Sequence, residues 1–296
     1  MKRILTALLA LTCGAWATTE APMSPQDPAP PATTMQAPTA ANGIVIEKIP
    51  TSVPQASLLM GVVPTGSSIS YDGRAVRVAP NGRFVLGVAR EQTGSIVLKV
   101  TASDGSTRML EIAVTPRVFR TERINGVPES TVNPPPEIAA RIQREQAEVE
   151  AARTRDDDRT DFDTVFIWPV KGRITGWFGS ERIYNGTPKS PHSGVDVAAP
   201  KGTPIHAPAG GIVTFANPDL YLTGGTVLID HGHGVSSNLI HMSRIDVKVG
   251  DRVEQGQVVG LVGATGRATG PHMHWGMNWF NVRVDPQSLM PPGDAK

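Results

Sequence analysis

The sequence predicts a mainly β protein: an antiparallel β domain in the C-terminal part, preceded by a small β-sandwich-like domain and a connecting helix. Three observations predict it. Short β-branched runs with polar alternation recur along most of the chain. Thirty Gly and 26 Pro fall largely at the junctions between them. Only one stretch, following Pro134-Pro135-Pro136, carries a sustained helical composition. Alternation of period two marks a strand with one buried face, and Gly, Pro, Asn and Asp clusters mark the turns between strands.

Of the 296 residues, 28 are Lys or Arg and 27 are Asp or Glu. The length accommodates two domains plus connecting segments. The balanced charge excludes a nucleic-acid partner, which would need clustered excess cation. Residues 1–17 read as an export signal: Lys2 and Arg3 precede a short apolar run, and Ala15-Trp16-Ala17 supplies a small-x-small cleavage pattern. The run is too short for a permanent membrane span. Cys13 keeps a lipoprotein open as an alternative, although Thr12 stands where such a signal wants Gly, Ala or Ser. Cleavage after Ala17 removes the single cysteine, so a metal site in the mature chain must use His, Asp or Glu.

Residues 18–42 form a Pro/Ala/Thr-rich tract with too little apolar bulk to offset its ordering entropy, and read as a disordered linker. Residues 43–117 carry the first set of alternating runs, including RFVLGVA and SIVLKVTAS. Asp72-Gly73, Asn81-Gly82 and Asp104-Gly105 punctuate them as tight turns. With no histidine and no carboxylate cluster, this accessory domain reads as a binding or positioning module. Residues 118–163 are a linker holding a helix over about 137–155. Its stripe of Ile138, Ile142 and Val149 is thin, so the helix docks weakly on a neighbour or offers a face to a partner. Residues 164–290 return to short strands, and 291–296 are a tail.

All seven histidines fall after residue 190. In PHSGVDVAAP, His192 and Asp196 lie four apart, but Pro191, Gly194 and Pro200 oppose a helix. The pair converges if the chain turns at Ser193-Gly194. In PHMHWGM, alternation points His272 and His274 to one face of a strand. A His, a carboxylate and a second His are the ligands of an open tetrahedral zinc site; a His-Asp pair alone can equally be a hydrogen bond. Asp230-His231-Gly232-His233-Gly234 has ligand spacing, but its glycines read as a loose hairpin tip that holds no metal. His206 reads as a strand residue with a satisfied ring. His241, in NLIHMS, lies in an apolar strand and is left ambiguous by its surroundings. Residues 263–270 lack the Gly-Lys-Ser/Thr ending of a phosphate loop and open a strand where such a loop leads into a helix.

His192-x-x-x-Asp196, the strand His241-Met242-Ser243 and the run Gly263-x-Thr265-Gly266-x-x-Thr269-Gly270-Pro271-His272-Met273-His274-Trp275 resemble the lysostaphin/LytM-type zinc metallopeptidases of bacterial cell walls. The resemblance covers about residues 168–289, with the motifs in the family's order. It implies one zinc ion per chain held by His192, Asp196 and His274, with His241 and His272 as catalytic histidines around an activated water. It implies an elongated groove and peptidoglycan as substrate, the enzyme cutting peptide cross-links or stem peptides, with a D-alanyl-diaminopimelate cross-link expected. The chain departs from the family at Leu239, where a Tyr is usual, and in a long loop, ERIYNGTPKSP, before His192. Both bear on substrate preference. The alternative is a catalytically inactive type of relative that activates another cell-wall hydrolase; such relatives lose zinc ligands, whereas all five positions are intact here. A pure wall-binding module would not need a metal centre. The expected location is the periplasm, with secretion or a lipid anchor as alternatives and an envelope protein as a possible partner of the N-terminal region.

Overall fold

The computed structural model describes residues 48–126 and 132–290. The expected export signal, the 18–42 linker and the 291–296 tail lie outside these residues. The described chain is mainly β, with one α-helix.

The first seven strands are β1 (Ser52–Pro54), β2 (Leu58–Val62), β3 (Ser68–Tyr71), β4 (Arg74–Val76), β5 (Arg83–Gly87), β6 (Ser95–Thr101) and β7 (Thr107–Thr115). They form a five-stranded sheet in the order β1-β7-β6-β3-β4 facing a β2-β5 ribbon. All pairs are antiparallel except β1 with β7. Alternation decides the faces: in β6, Ile96, Leu98 and Val100 are buried while Val97 and Lys99 are exposed. Asp72 and Gly73 both take positive φ, 49° and 73°, the geometry of the two-residue turn that joins β3 to β4 with the strands' own twist.

The β2-β5 ribbon is a wall shared by two cores. Leu59, Phe84 and Leu86 point into the first core, while Leu58 and Val85 join the second, with Met277 and Val284. A β carbon at Gly87 would lie 2.6 Å from Trp279 Cβ, so only glycine permits this approach. Arg117 pairs with the buried Asp285 at 2.7 Å across the same boundary.

After β8 (Thr121–Ile124), helix α1 spans Pro136–Ala152 with Pro at its start, where the missing N–H is not needed. None of its residues is buried. Arg141 ties it down, bonding Glu145 within the helix and the Asp219 carbonyl beyond it, while Glu145 accepts from Tyr221 N at 2.7 Å.

The remaining strands are β9 (Arg173–Gly176), β10 (Glu181–Tyr184), β11 (Thr187–Lys189), β12 (Gly194–Ala198), β13 (Pro204–His206), β14 (Gly211–Leu220), β15 (Gly224–Asp230), β16 (Val235–Ile245), β17 (Arg252–Val253), β18 (Val258–Val262), β19 (His272–Trp279) and β20 (Val282–Val284). Seven of them run β17-β14-β15-β16-β19-β12-β9, every pair antiparallel. The stretch 181–191, read from sequence as a loop, is largely the β10-β11 hairpin. It turns on Asn185 and Gly186, at φ 50° and 81°, and β10 pairs in parallel with β8.

Candidate metal centre

Asp196 of β12 and His274 of β19 are direct cross-strand partners, so their side chains rise from the same face of the sheet. His192 lies two residues before β12, which begins at Gly194. Its Nε2 lies 3.1 Å from Asp196 Oδ1 and 3.0 Å from His274 Nδ1, and His274 Nδ1 lies 2.8 Å from Asp196 Oδ1. The three atoms thus form a nearly equilateral triangle.

The donor chemistry suits a cation. His192 Nδ1 donates to the Trp177 carbonyl at 3.0 Å. A carbonyl can only accept, so the neutral ring turns the lone pair of Nε2 toward the carboxylate and His274. Lone pairs so close repel unless a cation or a shared proton lies between them. A tetrahedral ion with bonds of about 2.0–2.1 Å spaces its donors about 3.3 Å apart, close to the separations seen. Burial alone would raise the Asp196 carboxyl. The His192 and His274 rings against it outweigh burial and hold it below the usual carboxylate range. Burial lowers His274 to about 4 against the opposing pull of Asp196, leaving it neutral near pH 7. A carboxylate and two neutral imidazoles are the protonation states a metal needs.

Glycine makes room for this triangle. A β carbon at Gly176 would lie 2.3 Å from Asp196 Oδ2 and 2.8 Å from His192 Cε1.

His241 reaches the same face through a break in alternation. Leu239 and Met242 both point into the core, so two residues, Ile240 and His241, stand between them on the opposite side. Thr226 alone opposes these two across the ladder, which makes a β-bulge. His241 takes φ 63°, an uncommon conformation for a residue with a β carbon. Its ring lies 4.7 Å from that of His272 and 6.4 Å from that of His274. His241 Nδ1 donates to Thr265 O at 2.8 Å and His272 Nδ1 to Gly270 O at 2.9 Å. Both rings therefore carry their hydrogen away from the centre and keep Nε2 as the free acceptor. Burial lowers His241 to about 4. His272 Nε2 is 3.8 Å from Asp196 Oδ1.

All five expected site residues thus gather at one place. Two others join them that sequence reading missed. Arg182, on β10 of the hairpin read as a loop, brings a guanidinium nitrogen to 3.9 Å from Asp196 Oδ2. Thr265 orients His241. Asn185-Gly186 was a usable hairpin signal for the first; nothing local marks the second as a partner of His241.

The other histidines stand apart from the triangle. His231 and His233 do sit at the β15-β16 turn, but the turn is not loose: both are buried. His231 Nδ1 donates to Gly210 O at 2.6 Å, and its Nε2 accepts from Ser237 Oγ at 2.8 Å, which in turn accepts from Trp275 Nε1 at 3.2 Å. The glycines that suggested a loose tip instead allow close packing: a β carbon at Gly232 would run into the Arg159 carbonyl. His206 Nδ1 donates to Pro169 O at 3.3 Å.

Residues 190–286 match the model of the family described as Peptidase family M23. A crystal structure of an M23 peptidase from Pseudomonas aeruginosa is 33% identical, with a TM-score of 0.62, and the similarity covers 84% of this chain and 96% of that one. The peptidoglycan DD-endopeptidase ShyA of Vibrio cholerae is 41% identical over 111 residues, 36% of this chain and 26% of its own length. The DD-carboxypeptidase/endopeptidase Mpg of Neisseria meningitidis is 41% identical over 101 residues, 34% of this chain and 23% of its own. The matched region spans about a quarter of the length of these two curated relatives.

Proposed function

Because the chain belongs to peptidase family M23, we propose that it is an exported zinc endopeptidase that hydrolyses peptide cross-links or stem peptides of peptidoglycan. The observation that carries this reading is the convergence of His192 Nε2, Asp196 Oδ1 and His274 Nδ1 on one point, with His241 and His272 beside it. In this reading the three residues hold one zinc ion. When bound, zinc supplies an activated water near neutral pH and a Lewis acid for a carbonyl.

The chain's own residues do the rest. The Nε2 atoms of His241 and His272 face the centre as acceptors, so either can take a proton from the attacking water and return it to the leaving amine. The protonated ring then stabilises developing negative charge. Their backbone carbonyl partners keep both rings aimed inward throughout. Arg182 adds a fixed cation at the outer oxygen of Asp196.

The substrate assignment is supported by the relatives named as peptidoglycan DD-endopeptidases and as a DD-carboxypeptidase/endopeptidase. Export through residues 1–17 to the periplasm belongs to the same reading, as does contact of the N-terminal region with an envelope protein. The test is mass spectrometry of muropeptides released from purified sacculi by the zinc-loaded protein. Loss of cross-linked dimers with matching gain of monomers is expected. Unchanged muropeptides, with stimulation of a separate hydrolase, would replace this reading with that of an activator.

A further inference from the structure

The face of the sheet that carries the metal centre continues beneath helix α1. Asp196, His274 and Ile240 form one cross-strand row, Gly194, Gly276 and Asn238 the next, and Asn278 with Ser236 the one after. Alternate residues of a strand share a face, so these rows make one continuous floor. At about 3.4 Å per residue, Asn278 lies about 14 Å along it from His274. Between this floor and α1 is a cavity of about 320 Å³, lined by Ser193 on the side of the metal centre, by Val149 and Arg153 on the helix side, and by Arg283 of β20.

Its polar lining is unfinished. Asn238 Oδ1, Asn278 Nδ2 and Arg153 Nε are buried without a hydrogen-bond partner. Burial, followed by the nearby Arg283, lowers Arg153 to about 10. Two carboxylates also line the cavity. Glu145 is committed to Arg141 and Tyr221 N, which leaves Glu150 against two guanidinium groups. The balance is positive. Buried donors of this kind cost free energy unless water or a ligand meets them. A guanidinium fork beside an amide NH₂ matches a carboxylate in both charge and geometry. The two glycines in the row between centre and cavity let the His274 ring and the Ser193 carbonyl pack down onto the floor: a β carbon at Gly194 would lie 2.6 Å from His274 Nε2, and one at Gly276 3.2 Å from Ser193 O.

We propose that this cavity is a substrate subsite that binds a carboxylate of the peptide through Arg153, Arg283 and Asn278, within about four residues of the bond cleaved at the metal centre. This rests on the peptidase reading and names what the enzyme recognises beside the scissile bond.

The test replaces Arg153→Met and Arg283→Met, singly and together, in the full chain. A soluble cross-linked muropeptide with free carboxylates is compared with the same compound amidated. A charge-assisted contact predicts that kcat/KM for the free form falls about 10- to 100-fold in the double variant, while the amidated form changes less than about threefold. Equal losses on both forms, or no loss, would overturn the subsite. A rate increase on both would overturn it too, and would make α1 a restraint on the groove. Calorimetry on metal-depleted protein separates this proposal from the peptidase reading. Wild type should bind the free form more tightly than the amidated one, and the double variant should lose that preference. Selective binding without cleavage in the zinc-loaded protein leaves the subsite standing and sinks the peptidase reading; cleavage without carboxylate preference does the reverse.

Discussion

The carbonyl oxygen of Thr265 accepts the Nδ1 hydrogen of His241 at 2.8 Å. The hydroxyl of the same threonine accepts from Gly225 N at 2.9 Å and donates to Met242 O at 2.8 Å. One loop residue therefore fixes the His241 ring and pins both strands of the bulge that presents it. Thr265→Val keeps the shape and removes both hydroxyl bonds, leaving two backbone groups unpaired at a cost of about 1–3 kcal/mol. Turnover should fall about tenfold, with zinc content unchanged, and Thr265→Ser should restore most of it. Wild-type kcat in Thr265→Val would show that the ring is held by something else.

Ligands and proton carriers should separate in the laboratory. His192→Ala removes one corner of the triangle, so zinc and activity should disappear together, from a wild-type content of one ion per chain. His241→Ala and His272→Ala leave the triangle intact; they should retain zinc and lose about 100-fold or more in turnover. Metal analysis of each purified variant beside its rate makes the distinction. Full zinc occupancy in His192→Ala would refute the ligand assignment.

Gly176 tests the triangle from outside it. A methyl group there meets Asp196 Oδ2 and His192 Cε1 well inside contact distance. Neither atom can retreat without leaving its partners. Gly176→Ala should weaken zinc binding by about 10- to 100-fold, the usual scale for disturbing the support of a metal ligand. Competition with a chelator measures it, and unchanged affinity would mean that β9 moves away freely.

His231 supplies a prediction about stability and acid. Burial lowers it to about 4 from the ordinary imidazole value of 6.5; the Gly210 carbonyl and Asp161 oppose that shift, while Arg159 and Arg252 reinforce it. The unfolded chain takes up a proton near pH 6.5 that the folded chain refuses until about pH 4. The stability contributed by the neutral ring is thus complete above about pH 6.5 and is lost as the pH falls toward 4, by up to roughly 3 kcal/mol. His231→Gln should lower the denaturant midpoint at pH 7, because the bonds to Gly210 and Ser237 are disturbed. It should also flatten the decline between pH 6.5 and 4 relative to wild type. Zinc content and turnover at pH 7 should stay near wild type. Parallel stability curves for the two proteins would exclude His231 as the titrating group.

How far the sequence reaches is clearest at the histidines. His272 and His274 were legible as a pair because strand alternation is a local rule: two residues apart on a strand means one face. His192 and Asp196 were legible as a candidate pair because Pro191, Gly194 and Pro200 oppose a helix, which left their convergence to the fold. The strands of both β modules were legible for the same local reason, in patterns such as Ile96-Val97-Leu98-Lys99-Val100. His241 was not legible from its own neighbourhood. Strict alternation puts it on the core side with Leu239, and only the bulge against Thr226, held by a threonine 24 residues away, turns it inward. His231 and His233 misled for the opposite reason. Their glycines read as local looseness, whereas these supply the space that Arg159 and Phe280 occupy. The cavity beneath α1 had no sequence signal at all, since Arg153, Asn238, Asn278 and Arg283 are brought together only when a weakly amphipathic helix lies across the sheet. Residue type and spacing determined which chemistry this chain carries. Strand register, one β-bulge and the docking of a helix decided which side chains face it, because those depend on contacts between segments that no local pattern encodes.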